Sequence, residues 1–221
     1  MARQLVIFGS SEMAEVAHFY FSRHSEHEVV AFTVDGAYLR EPTFAGLPVI
    51  PFEELGQRFA PDAADLFVAV GYSGLNQVRK DKYLLAKQIG YTLPSYVSAR
   101  ATILNDGRIG DNCFILEDNT IQPFVSIGNN IVMWSGNHIG HHSRIDDHCF
   151  LASHIVVSGG VHIGERCFIG VNATFRDHIT IGERCLIGAG TLLLGDAAPE
   201  GVYSPDATPR ARVPSSRLRK I

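Results

Sequence analysis

Apolar residues recur at every sixth position over the second half of the chain. Stepping in sixes from residue 97 to residue 193 meets seventeen apolar residues in succession, with no insertion, and glycine often follows them. A period of six fits neither an α-helix nor an ordinary amphipathic strand. It predicts a β-solenoid, in which each short strand buries one residue against the coils above and below it.

The cysteines fit the same repeat. Three faces of six residues make a triangular coil of eighteen, so the repeat predicts between five and six coils. Cys113, Cys149, Cys167 and Cys185 are separated by 36, 18 and 18 residues, with Ile131 in the gap, which predicts one inward-pointing column. The chain has no C-x-x-C pair, so these cysteines are interpreted as core residues and not as metal ligands.

Strands and helices alternate in the first ninety-odd residues. Apolar runs predict strands over 5–8, 29–34, 47–50 and 66–70, and helices over 11–22, from Pro51 onward and over 75–89. This alternation predicts a small parallel sheet with helices packed on it. The apolar face of the last helix is predicted to consist of Leu75, Val78, Leu85, Ala86 and Ile89.

These patterns predict that the chain has three parts. Residues 1–94 form an α/β domain, residues 95–198 form the solenoid, and residues 199–221 form a capping segment with a basic tail; Pro94 lies close to the first boundary. The capping segment is expected to cover the open end of the solenoid, where unpaired strand edges would invite aggregation.

Composition narrows the possible partners. A net charge of −4 over 221 residues gives no sign of the excess positive charge that nucleic-acid-binding proteins carry. The start of the chain resembles a buried strand and not a signal peptide, and no apolar run is long enough to span a bilayer. Four cysteines without a pairing pattern favour a reducing, cytoplasmic location.

The repeats carry a family resemblance. The segments RIGDNC, HIGERC, TIGERC and LIGAGT resemble those of the hexapeptide-repeat acyltransferases. That resemblance implies a left-handed parallel β-helix and a homotrimer. The combination of this solenoid with a small α/β (Rossmann-like) domain resembles the sugar acetyltransferases of the sialic-acid O-acetyltransferase and bacillosamine N-acetyltransferase type. This similarity implies transfer of an acyl group, acetyl from acetyl-CoA, onto a nucleotide-linked amino sugar for surface polysaccharide or glycan synthesis, without a metal.

The α/β domain supplies candidate substrate-binding residues. Ligands of open parallel sheets bind at the carboxyl ends of the strands, which points to Gly9 and Ser10 after the first strand, Asp35 after the second and Gly71 after the last. The segment VAVGYSGLNQVRK resembles the family's strand–loop–Asn-x-x-Arg segment, which adds Asn76 and Arg79. One departure is Glu12, where the family has His after a glycine run, because a carboxylate there would repel a phosphate.

The histidines point to the chemistry. Seven of the ten lie inside the solenoid, and His141 and His142 follow an Ile-Gly pair, so they are predicted at a turn with outward side chains. Acyl transfer needs a base for the acceptor's proton and donors for the developing oxyanion. By resemblance His141 is the base, and Gly159 and Gly160, one coil on, form the Gly-rich turn that faces the thioester carbonyl of the donor.

Other site assignments come from the same comparison. His142 stands where the family often has the acid that orients the base; Asp146, Asp147 and Glu117 are alternatives that the residues do not separate. His154 is a candidate second site histidine, facing the acyl group or a neighbouring subunit.

Two arginines near the end of the chain are further candidate cofactor-binding residues. The segment GVYSPDATPRAR resembles the family's terminal segment, and the resemblance suggests that Arg210 or Arg212 contacts the phosphates or adenine of coenzyme A.

Three other functions compete with this one. O-acetylation of a sugar hydroxyl uses the same groups, and a non-catalytic trimeric scaffold that senses a nucleotide would use only the α/β domain. A β-helix carbonic anhydrase would need three histidines around zinc. His142 and His178, 36 residues apart, supply two of them and no third is well placed.

Overall fold

The computed structural model describes residues 2–210, 212 and 214–217. The first ninety residues form an α/β unit. Its elements are β1 (Arg3–Phe8), α1 (Glu12–His24), β2 (His27–Val34), β3 (Thr43–Phe44), β4 (Leu47–Pro51), α2 (Leu55–Arg58), β5 (Ala64–Val68) and α3 (Gln77–Ile89), with 3-10 turns at Gly36–Tyr38 and Phe52–Glu54. The sheet order is β3-β4-β2-β1-β5, and every pair except β3 with β4 is parallel. The predicted parallel sheet is confirmed.

Two local features differ from the prediction. The hairpin of β3 and β4 was not predicted; Ala45 (φ 47°) and Gly46 (φ 81°) give it a two-residue turn in which both residues have positive φ, as tight hairpins require. The helix expected from Pro51 is only a 3-10 turn followed by four α-helical residues. Gly56, a poor helix former, lies inside that short helix.

The second half of the chain is a parallel β-helix with three faces. The first face contains β6 (Tyr96–Val97), β8 (Phe114–Ile115), β11 (Val132–Met133), β14 (Phe150–Leu151), β17 (Phe168–Ile169), β20 (Leu186–Ile187) and β22 (Val202–Tyr203). The second contains β7 (Thr102–Ile103), β9 (Thr120–Ile121), β12 (His138–Ile139), β15 (Val156–Val157), β18 (Thr174–Phe175) and β21 (Leu192–Leu193). The third contains β10 (Ser126–Ile127), β13 (Arg144–Ile145), β16 (His162–Ile163) and β19 (Thr180–Ile181).

The predicted six-residue period is confirmed by the pairing and by the core. Successive strands of a face pair in parallel 18 residues apart as far as β21, as Val132 does with Phe150, and β22 pairs with β20 after 16 residues. The second residue of each strand points inward, and those from Ile115 to Ile187 lie in the core. All four cysteines are fully buried in that core. The thiols of Cys149 and Cys167 each donate to a carbonyl of the next coil at 3.1 Å.

The α/β unit packs on the outward side of the first face. Phe114, Val132 and Phe150 point away from the solenoid core, yet they are buried in a cluster with residues of β1, α1 and β5. The rings of Phe67 and Phe114 lie 5.6 Å apart. The α/β unit therefore covers the first face of the solenoid and, among the described residues, leaves the second and third faces uncovered.

The buried face of α3 differs from the predicted one. Arg79, Tyr83 and Ala86 are buried, whereas Val78, Leu85 and Ile89 are 43%, 38% and 45% exposed. The helix turns its Arg79 face to the solenoid because the guanidinium bonds with the carbonyls of His148 and Cys149 at 2.9 and 3.0 Å. Burial lowers the pKa of Arg79 to about 10, so the side chain stays charged at neutral pH.

Candidate active site

His141 and His142 lie at one corner of the β-helix, in the turn between β12 of the second face and β13 of the third. Both side chains are exposed. Their Nδ1 atoms lie 3.1 Å apart, so one imidazole donates a hydrogen bond to the other. The backbone N–H of His141 donates to Oε1 of Gln122 at 2.9 Å, and the ring of Phe124 lies 4.7 Å from that of His142. The predicted turn position is confirmed.

The turn one coil on is shaped around His141. A Cβ atom added to Gly159 would lie 2.6 Å from Cε1 and 2.8 Å from Nε2 of His141, so the imidazole occupies the space that a side chain there would need. The N–H of Gly160 donates to the carbonyl of His141 at 2.8 Å, which joins the two turns. Among the described residues the N–H of Gly159 has no hydrogen-bond acceptor. The corner thus combines an exposed imidazole with an adjacent free donor.

None of the three acids considered as partners of His141 lies at this corner. Glu117 lies between the first and second faces and accepts hydrogen bonds from Tyr20 and Ser135. Asp146 and Asp147 lie between the third face and the first; Asp146 bonds Arg144 and His162, and Asp147 bonds Asn129. Among the residues that the structure describes, the side-chain partner of His141 is His142 and not a carboxylate.

His154 lies at a different corner from His141. It falls in the turn between β14 of the first face and β15 of the second, where its ring lies against Gly136 of the preceding coil. His141 and His154 therefore flank the second face from opposite edges, and one chain alone does not bring them together.

His178 lies on the same turn column as His142. A Cβ atom on Gly160 would lie within contact distance of the His178 ring, and the N–H of His178 donates to the carbonyl of Gly159 at 3.0 Å. The 36-residue spacing of His142 and His178 in the sequence corresponds to two coils, which is why both lie in one column.

The substrate-binding candidates of the α/β unit separate into two groups. Gly9 has φ 128°, and a Cβ there would lie 2.8 Å from the carbonyl oxygen of Ala69, so only glycine fits this turn. Ser10, next to it, lines a hollow of about 390 Å³ together with Tyr38, Arg40 and Phe44. Asp35 directly follows β2, and its carboxylate forms an ion pair with Lys82 of α3 at 2.5 Å.

Gly71 and Asn76 lie nearer to the solenoid. Gly71 lines a hollow with Trp134 and Phe150, and its carbonyl accepts from Arg79 at 3.3 Å. Asn76 has no exposed surface; its Nδ2 donates to the carbonyls of Arg166 and Cys167 at 3.3 and 3.1 Å. Contacts with the β-helix, and not open space for a ligand, therefore surround Asn76.

The tail arginines are exposed. Arg210 and Arg212 follow β22, which adds to the first face beside β20 at the end of the solenoid. Neither forms an ion pair with a described residue. Within the described ranges no helix is long and apolar enough to cross a membrane, and no group of three or more His, Cys, Asp or Glu side chains could hold a metal.

Comparison with known proteins places this architecture among transferases. The family described as bacterial transferase hexapeptide (six repeats) matches residues 160–195. No curated protein matches the chain in sequence.

Several solved structures are similar over nearly the whole chain. PerB from Caulobacter crescentus, in complex with CoA and GDP-perosamine, is 25% identical with a TM-score of 0.81, covering 91% of this chain and 94% of that one. The acetyltransferase domain of PglB from Neisseria gonorrhoeae FA1090 is 24% identical with a TM-score of 0.79, covering 88% and 93%. WeeI from Acinetobacter baumannii AYE is 19% identical with a TM-score of 0.77, covering 90% and 95%.

These matches confirm the resemblance to the hexapeptide-repeat acyltransferases. They also confirm the predicted fold class, an N-terminal α/β domain followed by a left-handed parallel β-helix.

Proposed function

We propose that this protein transfers an acetyl group from acetyl-CoA to the amino group of a nucleotide-linked sugar, with His141 as general base. The chain is an acyltransferase, and acetyl-CoA is its acyl donor. PerB, which matches over nine-tenths of the chain, is bound to CoA and GDP-perosamine in its structure. The α/β domain of residues 1–94 binds the nucleotide, and the β-helix of residues 95–198 carries the chemistry.

One observation carries the assignment of the base. The His141 ring is held between the Nδ1 atom of His142, at 3.1 Å, and the backbone of Gly159. When Nδ1 of His141 donates its proton to His142, the lone pair of the neutral ring is on Nε2. The ring edge that carries Cε1 and Nε2 packs against Gly159, whose N–H has no acceptor among the described residues. Base and oxyanion donor are thereby adjacent.

The reaction follows from this arrangement. The amine nitrogen attacks the thioester carbonyl carbon as Nε2 of His141 removes its proton, and the carbonyl oxygen becomes an oxyanion that accepts a hydrogen bond from the N–H of Gly159. The tetrahedral intermediate collapses by breaking the C–S bond. The imidazolium returns its proton to the departing thiolate, so the products are the amide and CoA.

A homotrimer is part of the proposal. His141 and His154 lie at opposite edges of the second face, so a neighbouring copy is what brings a second histidine to each site. The second face also exposes Val156, Leu192 and Leu194, which are 42%, 61% and 59% exposed in the single chain. Burial of such residues stabilises an interface. A cytoplasmic location is included because all four cysteines are free thiols.

The remaining site residues have narrower roles in the proposal. Gly159 and Gly160 contact the thioester, Arg210 and Arg212 contact the phosphates of CoA, and Gly9, Ser10, Asp35 and Gly71 surround the nucleotide sugar. Asn76 contributes indirectly, because its buried amide fixes the loop that precedes α3 against the solenoid.

The test is release of free CoA thiol from acetyl-CoA with UDP-, dTDP- and GDP-linked amino sugars and their hydroxyl counterparts. We expect turnover with an amino sugar and none with its hydroxyl counterpart. The variant His141→Ala should fold and bind acetyl-CoA but lose at least about 100-fold in kcat. His162→Ala is the matched control, since His162 pairs with Asp146 at another corner.

Three outcomes would change the assignment. Turnover only with the hydroxyl sugar would indicate O-acetylation, and acetyl-CoA binding without turnover would indicate another acceptor or donor chain. Absence of acetyl-CoA binding would favour the nucleotide-sensing scaffold. Near wild-type turnover by His141→Ala would remove His141 as the base.

A further inference from the structure

A groove runs between α1 and the solenoid. Two adjoining hollows, of about 240 and 580 Å³, share Glu12, Val16 and Trp134 as lining residues. The first extends to Gly71, Tyr72 and Phe150, and the second extends to Glu15, Phe19 and Tyr20. We name this pair of hollows the α1 groove. The larger volume lies within the range of small-molecule sites, roughly 300–1,000 Å³, and the smaller hollow opens beside it.

The lining of the α1 groove combines aromatic rings with carboxylates. Trp134 follows β11 and is partly buried against the interdomain cluster, so its position is fixed while part of the ring stays open. Glu12 and Glu15, on the first turn of α1, are exposed and form no ion pair with a described residue. Among the described residues no Lys or Arg lines either hollow. Such a groove suits an uncharged or cationic polar ligand with an apolar face.

That chemistry disfavours the diphosphate of a nucleotide sugar. Two unpaired carboxylates would repel a group that carries two negative charges. The hollow lined by Ser10, Tyr38 and Arg40 also includes the carboxylate of Glu41, but unlike the α1 groove it offers a cation. Ser10 and Glu12 are two residues apart, so the start of α1 separates the two sites. A ligand crossing that turn would place its nucleotide on one side and its sugar on the other.

We propose that the α1 groove is the subsite for the sugar ring of the acceptor. The apolar face of the ring stacks on the indole of Trp134, and the Glu12 carboxylate accepts hydrogen bonds from the ring hydroxyl groups, which leaves the amino group available to His141. This inference rests on the proposed function and names the residues that recognise its acceptor. Glu12, the residue that departs from the family pattern, thereby selects the sugar and does not bind phosphate.

The chain carries its own reporter for this site, because Trp134 is its one tryptophan. Excitation at wavelengths absorbed by tryptophan alone would follow emission during titration with UDP, dTDP or GDP, with the matching amino-sugar conjugate, and with CoA. We expect saturable quenching or a spectral shift with the sugar conjugate only. The free nucleotide should compete for binding without reproducing the signal. A signal from CoA alone would make the groove a donor site and overturn the proposal.

Kinetics on the conjugate that binds provide the second test. Trp134→Ala should raise the acceptor KM about tenfold with the acetyl-CoA KM unchanged, and Trp134→Phe should restore most of the loss because stacking persists. Glu12→Gln should raise the acceptor KM in the same way. Glu54→Gln, an exposed carboxylate that lines neither hollow, is the matched control.

The two proposals fail in different ways. Wild-type turnover with no change in acceptor KM for either groove variant would refute the sugar subsite and leave the acetyltransferase intact. A saturable signal at Trp134 with the sugar conjugate, together with no thiol release from acetyl-CoA, would support the subsite and refute the proposed reaction.

Discussion

The contact between Gly159 and His141 gives the sharpest prediction of the catalytic geometry. In Gly159→Ala the new methyl carbon would lie 2.6 Å from Cε1 of the His141 ring, whereas ordinary contacts begin at 3.4 Å. The imidazole must therefore move by about 0.8 Å. The backbone does not oppose alanine, because φ at Gly159 lies outside the left-handed region. The variant should keep its fold and displace only the base.

A displacement of about 1 Å at a reacting group can reduce the rate about 100-fold, which corresponds to about 2.7 kcal/mol of activation free energy. We therefore expect kcat of Gly159→Ala to fall by roughly that factor in the thiol-release assay, with little change in thermal stability. Gly190→Ala is the control: the added methyl carbon meets no described atom within 4 Å, and the φ of +71° adds strain of about 1–2 kcal/mol. It should lose more stability and less activity.

A double-mutant cycle decides whether the loss acts through the base. If displacement of His141 is the cause, Gly159→Ala should have almost no further effect in the His141→Ala background. Full kcat in Gly159→Ala, or an additive loss in the double variant, would refute the reasoning.

Three further predictions concern stability and the buried groups. Arg79→Met should lower the free energy of unfolding by about 3 kcal/mol or more in urea titrations, since it leaves interdomain carbonyls unpaired; an effect as small as that of exposed Arg58→Met would contradict this. Burial lowers the pKa of His148 from 6.5 to about 4. The unfolded chain therefore binds the proton more readily, and stability should fall by up to about 3 kcal/mol as pH decreases from 6.5 towards 4; an unchanged slope in His148→Gln would refute this. All four cysteines are fully buried, and burial raises the pKa of Cys113 to about 12. Because the reagent cannot reach them, a thiol reagent at pH 8 should label none of the four in the native protein and all four in denaturant; labelling of the native protein would contradict this.

Much of the β-helix could be predicted from the period alone. A strand that buries one residue per face imposes a six-residue spacing, and stacking imposes the 18-residue columns that hold the cysteines, His141 and Gly159. The same arithmetic separates the acids: Asp147 follows His141 by six residues, which is one corner, so it cannot share that turn. His154, thirteen residues on, belongs to another corner for the same reason.

The contacts between the two domains were decided by the tertiary structure. Helical periodicity favoured an apolar buried face on α3, but the helix instead buries Arg79, because solenoid carbonyls are there to accept its hydrogen bonds. Asn76 matched a binding motif, yet its amide bonds the carbonyls of Arg166 and Cys167, some 90 residues away in sequence. Periodicity reports which residues avoid water along one element; it does not report which distant backbone groups a polar side chain will meet. The repeat therefore determined the solenoid and its candidate base, while docking of the α/β domain determined the groove beside Trp134.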